Sequence, residues 1–125
     1  MSMNSIFSGV DIVTISRFNE SKTISKTFLN LCFSPSEQTY CLSKANPAQH
    51  FAARFAAKEA VIKALSGMDL YLERNKIEVY LKENGRPYLR FHTDNQTIRC
   101  LKTDISLSHS ETSAIAFVII YTNEK

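Results

Sequence analysis

The stretch "RFAAKEAVIKAL", residues 54–65, is rich in alanine, the strongest helix former. A surface helix keeps its charges on a solvated face opposite an apolar stripe. This one does not. Wound from Phe51 at about 100° per residue, Phe51, Phe55, Ile62 and Leu65 fall in one stripe. Ala53, Ala57, Ala60 and Ala64 cover the opposite side, so no broad polar face is left for water. Lys58 lies inside the apolar stripe, while Glu59 and Lys63 share the seam between stripe and alanines. A helix that is apolar on both sides is buried on both sides, and its charges then need partners or a chemical task. From the helix alone two readings stay open. One is an ordinary i,i+4 Glu59–Lys63 pair with Lys58 snorkelling to solvent. The other is a set of charges working in a cleft.

Outward from this helix, Asn46-Pro47 marks its start and Gly67 its natural stop, which places it at about 47–66. Before it, "SPSE" (34–37) has the form of a capping box with Pro35 at the first helical position, opening a short helix to about Lys44. "ISKTFLNLCF" (24–33) is expected to be helical near its end. "SIFSGVDIVTI" (5–15) is rich in β-branched residues and reads as a strand interrupted by Asp11, with Ser16 as cap of a short helix from Arg17. After the central helix come "KIEVYLK" (76–82) and "ENGRPYLRF" (83–91), strand-like runs on either side of Asn84-Gly85, the signal of a hairpin with a type I′ turn. "DISLSHS" (104–110) and "SAIAFVIIY" (113–121) read as the last two strands. The expected class is α+β, a long central helix packed on a mostly antiparallel sheet.

The totals narrow the function. A chain of 125 residues with 44% hydrophobic content is the size of one domain, 1–125, with a real core. A net charge of +3, from 15 basic and 12 acidic residues, is too mild to indicate nucleic acid and suits a small acidic partner. Cys32, Cys41 and Cys100 lack metal-type spacing and cannot all pair within the chain, as expected of reduced thiols in the cytoplasm. His50, His92 and His109 are scattered, which argues against zinc. "AIAFVIIY" (114–121) is too short to span a bilayer, and "MSMNSIFSGVD" (1–11) lacks the basic start of a signal peptide, so no membrane association is expected.

Three polar sites stand inside otherwise apolar elements: Asp11, the Glu59/Lys63 seam with Lys58 beside it, and Ser108-His109-Ser110. Each has a plain structural reading. Asp11 can end a strand or form a turn after Gly9, and the "SHS" stretch can be a polar turn around a structural histidine. There is no Gly-rich phosphate loop and no HExxH motif. Their combination is more specific. Two carboxylates on different elements can share one Mg²⁺, which prefers oxygen ligands and keeps several waters. A nearby lysine can then bind phosphate as a point charge. Together they describe a site for a diphosphate with metal-assisted displacement at phosphorus.

"GVDIVTISR" (9–17), "RFAAKEAVIKAL" (54–65), "NGRPYL" (84–89) and "SLSHS" (106–110) together resemble the signature of holo-acyl-carrier-protein synthases, the small single-domain 4′-phosphopantetheinyl transferases. The match runs through nearly the whole chain, in order. The resemblance implies transfer of 4′-phosphopantetheine from coenzyme A to a serine hydroxyl of an apo acyl carrier protein, releasing adenosine 3′,5′-bisphosphate. It implies that Asp11 and Glu59 bind Mg²⁺ and that Lys63 neutralises the phosphates. It assigns His109 to the nucleotide or diphosphate, Lys58 and Arg54 to support of the site or nucleotide, and Arg17 to the acidic helix of the carrier protein. Either Glu59 or a water at the metal takes the serine proton. The family is typically a homotrimer with sites between subunits, which suits a helix with two packed faces and a last strand with no polar side. Two departures stand out. Where the family often has a basic pair for the 3′-phosphate, "KANPAQHF" offers Lys44 followed by Ala45 and Asn46, and the loop after the helix, "SGMDLYLERN", has one glycine. Two other readings are a paralogue, specialised or degraded, for one dedicated carrier protein, and a non-catalytic α+β binding module.

Overall fold

The computed structural model describes residues 5–19 and 24–122, so part of the N-terminal "MSMNSIFSGVD" stretch lies outside the described residues. Strand β1 (Ile6–Thr14) runs into a 3₁₀ turn (Ile15–Phe18). Three helices follow: α1 (Lys26–Cys32), α2 (Pro35–Leu42) and the long α3 (Pro47–Ser66). A second 3₁₀ turn (Arg74–Lys76) leads into a hairpin of β2 (Ile77–Leu81) and β3 (Pro87–Phe91). A single helical turn, α4 (Gln96–Arg99), precedes β4 (Lys102–His109) and β5 (Ser113–Tyr121). The strands form two antiparallel sheets, one ordered β1-β5-β4 and the other the β2-β3 hairpin. This is the expected α+β class, although α4 was not foreseen.

Several local readings hold for the expected reason. The Ser34 hydroxyl accepts from the Glu37 N–H and the Glu37 carboxylate accepts from the Ser34 N–H, so the capping box is complete, with Pro35 in the first turn. Others need correction. Asp11 does not interrupt β1; it sits mid-strand, paired in register with Ala116 of β5. Ser16 is not a cap position, because it lies inside a 3₁₀ segment that starts at Ile15 behind Thr14. Asn46 makes no side-chain cap either, so Pro47, with its missing N–H, is what starts α3. At the other end Gly67 stays right-handed, and Asp69 takes the left-handed conformation (φ 57°) while the Leu70 N–H donates to Leu65 O. The hairpin turn is not type I′, which needs positive φ at both central residues. Only Gly85 is left-handed (φ 83°), closing a three-residue loop in which the Gly85 N–H donates to Lys82 O and the Lys82 N–H to Arg86 O.

The two apolar sides of α3 are covered by different parts of the same chain. The Phe51/Phe55 side meets Phe18 and Phe33, with ring centroids 5.0–6.2 Å apart. The alanine side lies on the β1-β5-β4 sheet, where Ala57, Ala60 and Ala64 are buried against strand residues such as Ala114, Ala116 and Val118. Small residues let helix and sheet come close. At Gly9 the approach is backbone to backbone: a Cβ there would lie 2.7 Å from the Ala60 carbonyl carbon, 3.1 Å from the Ala64 nitrogen, and closer still to the Ala60 oxygen.

The double burial of α3 is therefore satisfied within one chain, so the two packed faces of the helix are not themselves a reason for a second subunit. The surface that stays uncovered is elsewhere. On β1 the odd positions face α3 and the even ones face out, leaving Ile6, Val10 and Ile12 exposed. On β5, Ile115, Phe117 and Tyr121 continue that outward apolar face.

Candidate active site

The alternation along β1 decides what Asp11 can reach. It shares the helix-facing side with Gly9 and Val13, and the close approach at Gly9 brings it against α3. Lys63 donates to Asp11 Oδ1 at 3.1 Å and to the Val10 carbonyl at 2.9 Å. The Asp11 side chain is 19% exposed and that of Lys63 is 55% exposed, so one face of the pair meets solvent. Glu59 lies one helical turn before Lys63 on the same seam. It does not pair with Lys63, as the ordinary helix reading expects. Instead Arg74 Nε donates to Glu59 Oε1 at 2.5 Å. Hydrogen bonding to Glu59 raises the Arg74 pKa further, against a smaller effect of burial.

Lys58, the next residue on the helix, does not snorkel. It is 0% exposed, and its ammonium donates to Glu37 Oε1 (2.8 Å), to Arg74 O (3.0 Å) and to Ile77 O. Burial lowers its pKa and Glu37 opposes that shift. Glu37 is buried too, and its second oxygen accepts from the Val79 N–H. This buried pair ties α2, α3 and the β2-β3 hairpin together. The ammonium of Lys58 thus spends its donors on Glu37 and two backbone carbonyls rather than on an open surface.

The remaining basic residues fall into two groups. Arg17, exposed on the first 3₁₀ turn, lies over the Phe55 ring (5.1 Å to its centroid), and Arg74 lies 5.7 Å from the same ring. At the start of α3, Lys44 (4.5 Å) and Arg54 (4.4 Å) are over the Tyr40 ring, and His50 meets that ring edge-on. Arg54 is buried, and its Nε has no hydrogen-bond partner among the described residues. Burial, then Arg54, Lys44 and His109, holds the His50 pKa below its ordinary value. His109 at the end of β4 reaches this group through Gln49, Nε2 to Nε2 at 3.0 Å. With Ser108 and Ser110 it also lines a hollow of about 380 Å³ whose other walls include Ile12 and Ile115 of the uncovered sheet face.

These residues suit a hard divalent cation. Among the described residues no three His, Cys, Asp or Glu come together as a metal cage. Asp11 and Glu59 each engage one oxygen with a cationic side chain, and among the described residues neither Asp11 Oδ2 nor Glu59 Oε2 takes a hydrogen bond. Two part-exposed carboxylates with spare oxygens match an ion that completes its shell with water and phosphate oxygens. The buried thiols have no place here: burial pushes Cys32 up, and Cys41 to about 11.

The sequence profile of the 4′-phosphopantetheinyl transferase superfamily matches residues 8–118. The chain belongs to that superfamily. A holo-[acyl-carrier-protein] synthase of Cytophaga hutchinsonii is 41% identical over 122 residues, spanning 92% of this chain and 96% of its own. Another from Thermodesulfovibrio yellowstonii is 42% identical over 113 residues, spanning 90% and 95%. Among solved structures, the Helicobacter pylori holo-[acyl-carrier-protein] synthase in complex with coenzyme A superposes with a TM-score of 0.75 at 29% identity, covering 90% of this chain and 98% of that one. The Mycobacterium tuberculosis acyl carrier protein synthase superposes with 0.74 at 31% identity, covering 97% and 100%. Within this transferase fold, sequence reading missed Arg74, His50 and Gln49. His50 was open to discovery, being one turn before Arg54. Arg74 was not, because it lies in an irregular stretch and meets Glu59 only through the tertiary fold.

Proposed function

We propose that the chain transfers 4′-phosphopantetheine from coenzyme A to a serine hydroxyl of an apo acyl carrier protein, using a divalent metal held by Asp11 and Glu59. The observation that carries this is Asp11 on the helix-facing side of β1, hydrogen-bonded to Lys63 one turn from Glu59. When bound, Mg²⁺ supplies Lewis-acid charge at the diphosphate. Lys63 sets the orientation of Asp11 and, half-exposed, offers its remaining donors to a phosphate. Arg54, whose buried Nε has no partner among the described residues, and Lys44 form a cationic wall suited to the nucleotide phosphate, with the imidazole of His50 beside them, which offsets the missing basic residues at Ala45 and Asn46. His109 stands at the edge of the same wall. Arg17, exposed on the first 3₁₀ turn, is in this reading the contact to an acidic carrier-protein surface.

The uncovered apolar face of β1 and β5 supports a homotrimer. Ile12 at 61% opposite Ile115 at 40%, and Val10 at 54% opposite Phe117 at 43%, are unusual exposures for large side chains side by side on one sheet. Because Ile12 and Ile115 also wall the hollow at His109, a subunit on that face would complete the site.

The test is mass spectrometry of an apo carrier protein incubated with the chain, coenzyme A and Mg²⁺. The carrier should gain one phosphopantetheine. Asp11→Asn or Glu59→Gln should leave the fold intact and nearly abolish the gain; normal turnover by either variant at low Mg²⁺ would refute the metal assignment.

A further inference from the structure

Adjacent residues of α3 hold the two ends of Arg74. Lys58 binds its carbonyl oxygen at 3.0 Å, and Glu59 binds its side chain at 2.5 Å. The Lys58 end is a buried anchor, fixed by Glu37 and by the Ile77 carbonyl. The Glu59 end is different. Arg74 is 36% exposed there and Glu59 21%, so the guanidinium can swing into solvent while its backbone stays in place. In the paired position the guanidinium also lies 5.7 Å from the Phe55 ring centroid, a ring that Arg17 flanks as well.

We propose that Arg74 is a built-in counter-cation for Glu59, a residue that occupies this carboxylate before the divalent ion does and competes with it. This rests on the reading of Glu59 as a metal ligand. Without metal, Arg74 holds the Glu59 side chain and offsets its charge in a half-buried position. Binding of the ion exchanges one cation for another. If Arg74 lets go, the ion must displace a charge-assisted hydrogen bond. If Arg74 stays on Oε1, the ion at the other oxygen faces a positive charge on the same carboxylate. Both routes have the same sign: Arg74 weakens metal binding by the free protein. Its role is selectivity, since a monovalent cation gains too little from one carboxylate to displace it, whereas a divalent ion shared by Asp11 and Glu59 can.

The experiment uses Mn²⁺ as probe. The free protein, without coenzyme A, is titrated with Mn²⁺, and unbound Mn²⁺ is read by electron paramagnetic resonance. Arg74→Ala and Arg74→Gln should each tighten Mn²⁺ binding, by roughly threefold to tenfold for a part-exposed pair. Arg74→Gln keeps a polar stem of similar bulk, so it serves if the alanine variant folds poorly. Glu59→Gln in the same titration separates the two claims. If it binds Mn²⁺ as well as wild type, the metal-ligand reading itself fails. If it weakens binding but both Arg74 variants bind as wild type or worse, the counter-cation fails alone. A second readout follows from linkage: the metal displaces or opposes the pair, so Arg74→Ala should lower the melting temperature in EDTA, and the gap should shrink at saturating Mn²⁺. A gap of constant size would mean that Arg74 is only structural and would overturn the proposal.

Discussion

Replacing Lys58 by methionine isolates the buried charge beneath the site. Lys58→Met keeps the length and bulk of the side chain and deletes the ammonium. Three acceptors then lose the ammonium as a donor: Glu37 Oε1, Arg74 O and Ile77 O. Removing one partner of a buried ion pair costs about 3–5 kcal/mol, because the other charge is stranded. Glu37 is not left bare, since the N–H groups of Ser34 (3.0 Å) and Val79 (2.9 Å) still donate to it, which favours the lower half of that range. The orphaned Ile77 carbonyl, buried behind the hairpin, pushes the cost back up. The expected loss is about 4 kcal/mol. With 125 residues and an unfolding entropy of about 2.1 cal/mol/K per residue, it corresponds to a fall in Tm of about 15 °C. The assay is urea and thermal unfolding by circular dichroism, at one fixed protein concentration and with EDTA present. Glu37→Gln added to Lys58→Met should recover about 1 kcal/mol, since the stranded charge is gone and the amide oxygen still accepts from Val79 N–H, while the Ser34 N–H loses its acceptor. A single variant within 1 kcal/mol of wild type, on the scale where such a pair matters, would refute the reasoning. So would a double variant no more stable than the single one.

The other predictions are simpler. Gly9→Ala should destabilise by about 1–3 kcal/mol or more and lower transfer activity as well, because the new Cβ meets helix backbone, which cannot yield locally, and displaces Asp11; unchanged unfolding would refute the contact. Arg17→Glu should raise the KM for the carrier protein far more than that for coenzyme A, with the effect shrinking at high salt; equal constants would make Arg17 structural. His50, held below its ordinary value of 6.5, refuses a proton that the unfolded chain accepts, so stability should fall as pH drops from about 7 through its folded pKa. His50→Gln should flatten that slope in urea midpoints compared at pH 7.5 and 5.5, and an equal slope in both proteins would refute it. Sedimentation at micromolar concentration should give about three times the 14.2 kDa chain mass, and Phe117→Glu on the uncovered sheet face should break the assembly; a fully active monomer would overturn the trimer.

The sequence by itself determined every element but α4, and it supplied the candidate residues Asp11, Glu59 and Lys63. Alanine content, the Asn84-Gly85 signal, the Ser34–Glu37 box and the β-branched runs act over a few residues, so they are legible one window at a time. It also showed that the charges of α3 lacked a solvated face, because helical periodicity turns residue order directly into angle. What it could not decide is which partner each charge takes. Glu59 and Lys63 are as well spaced for each other as any i,i+4 pair, yet Glu59 pairs with Arg74 and Lys63 with Asp11, from segments far along the chain. Lys58 could have snorkelled, but α2 and the hairpin close over it and supply Glu37. Likewise, the two apolar sides of α3 were visible in sequence, but only the packing showed that one chain covers both and leaves the outer sheet face bare. Local rules assign conformation because backbone and neighbouring side chains interact at fixed separations. Ion pairing and burial depend on which distant segments the fold brings together, and that is set by tertiary structure alone.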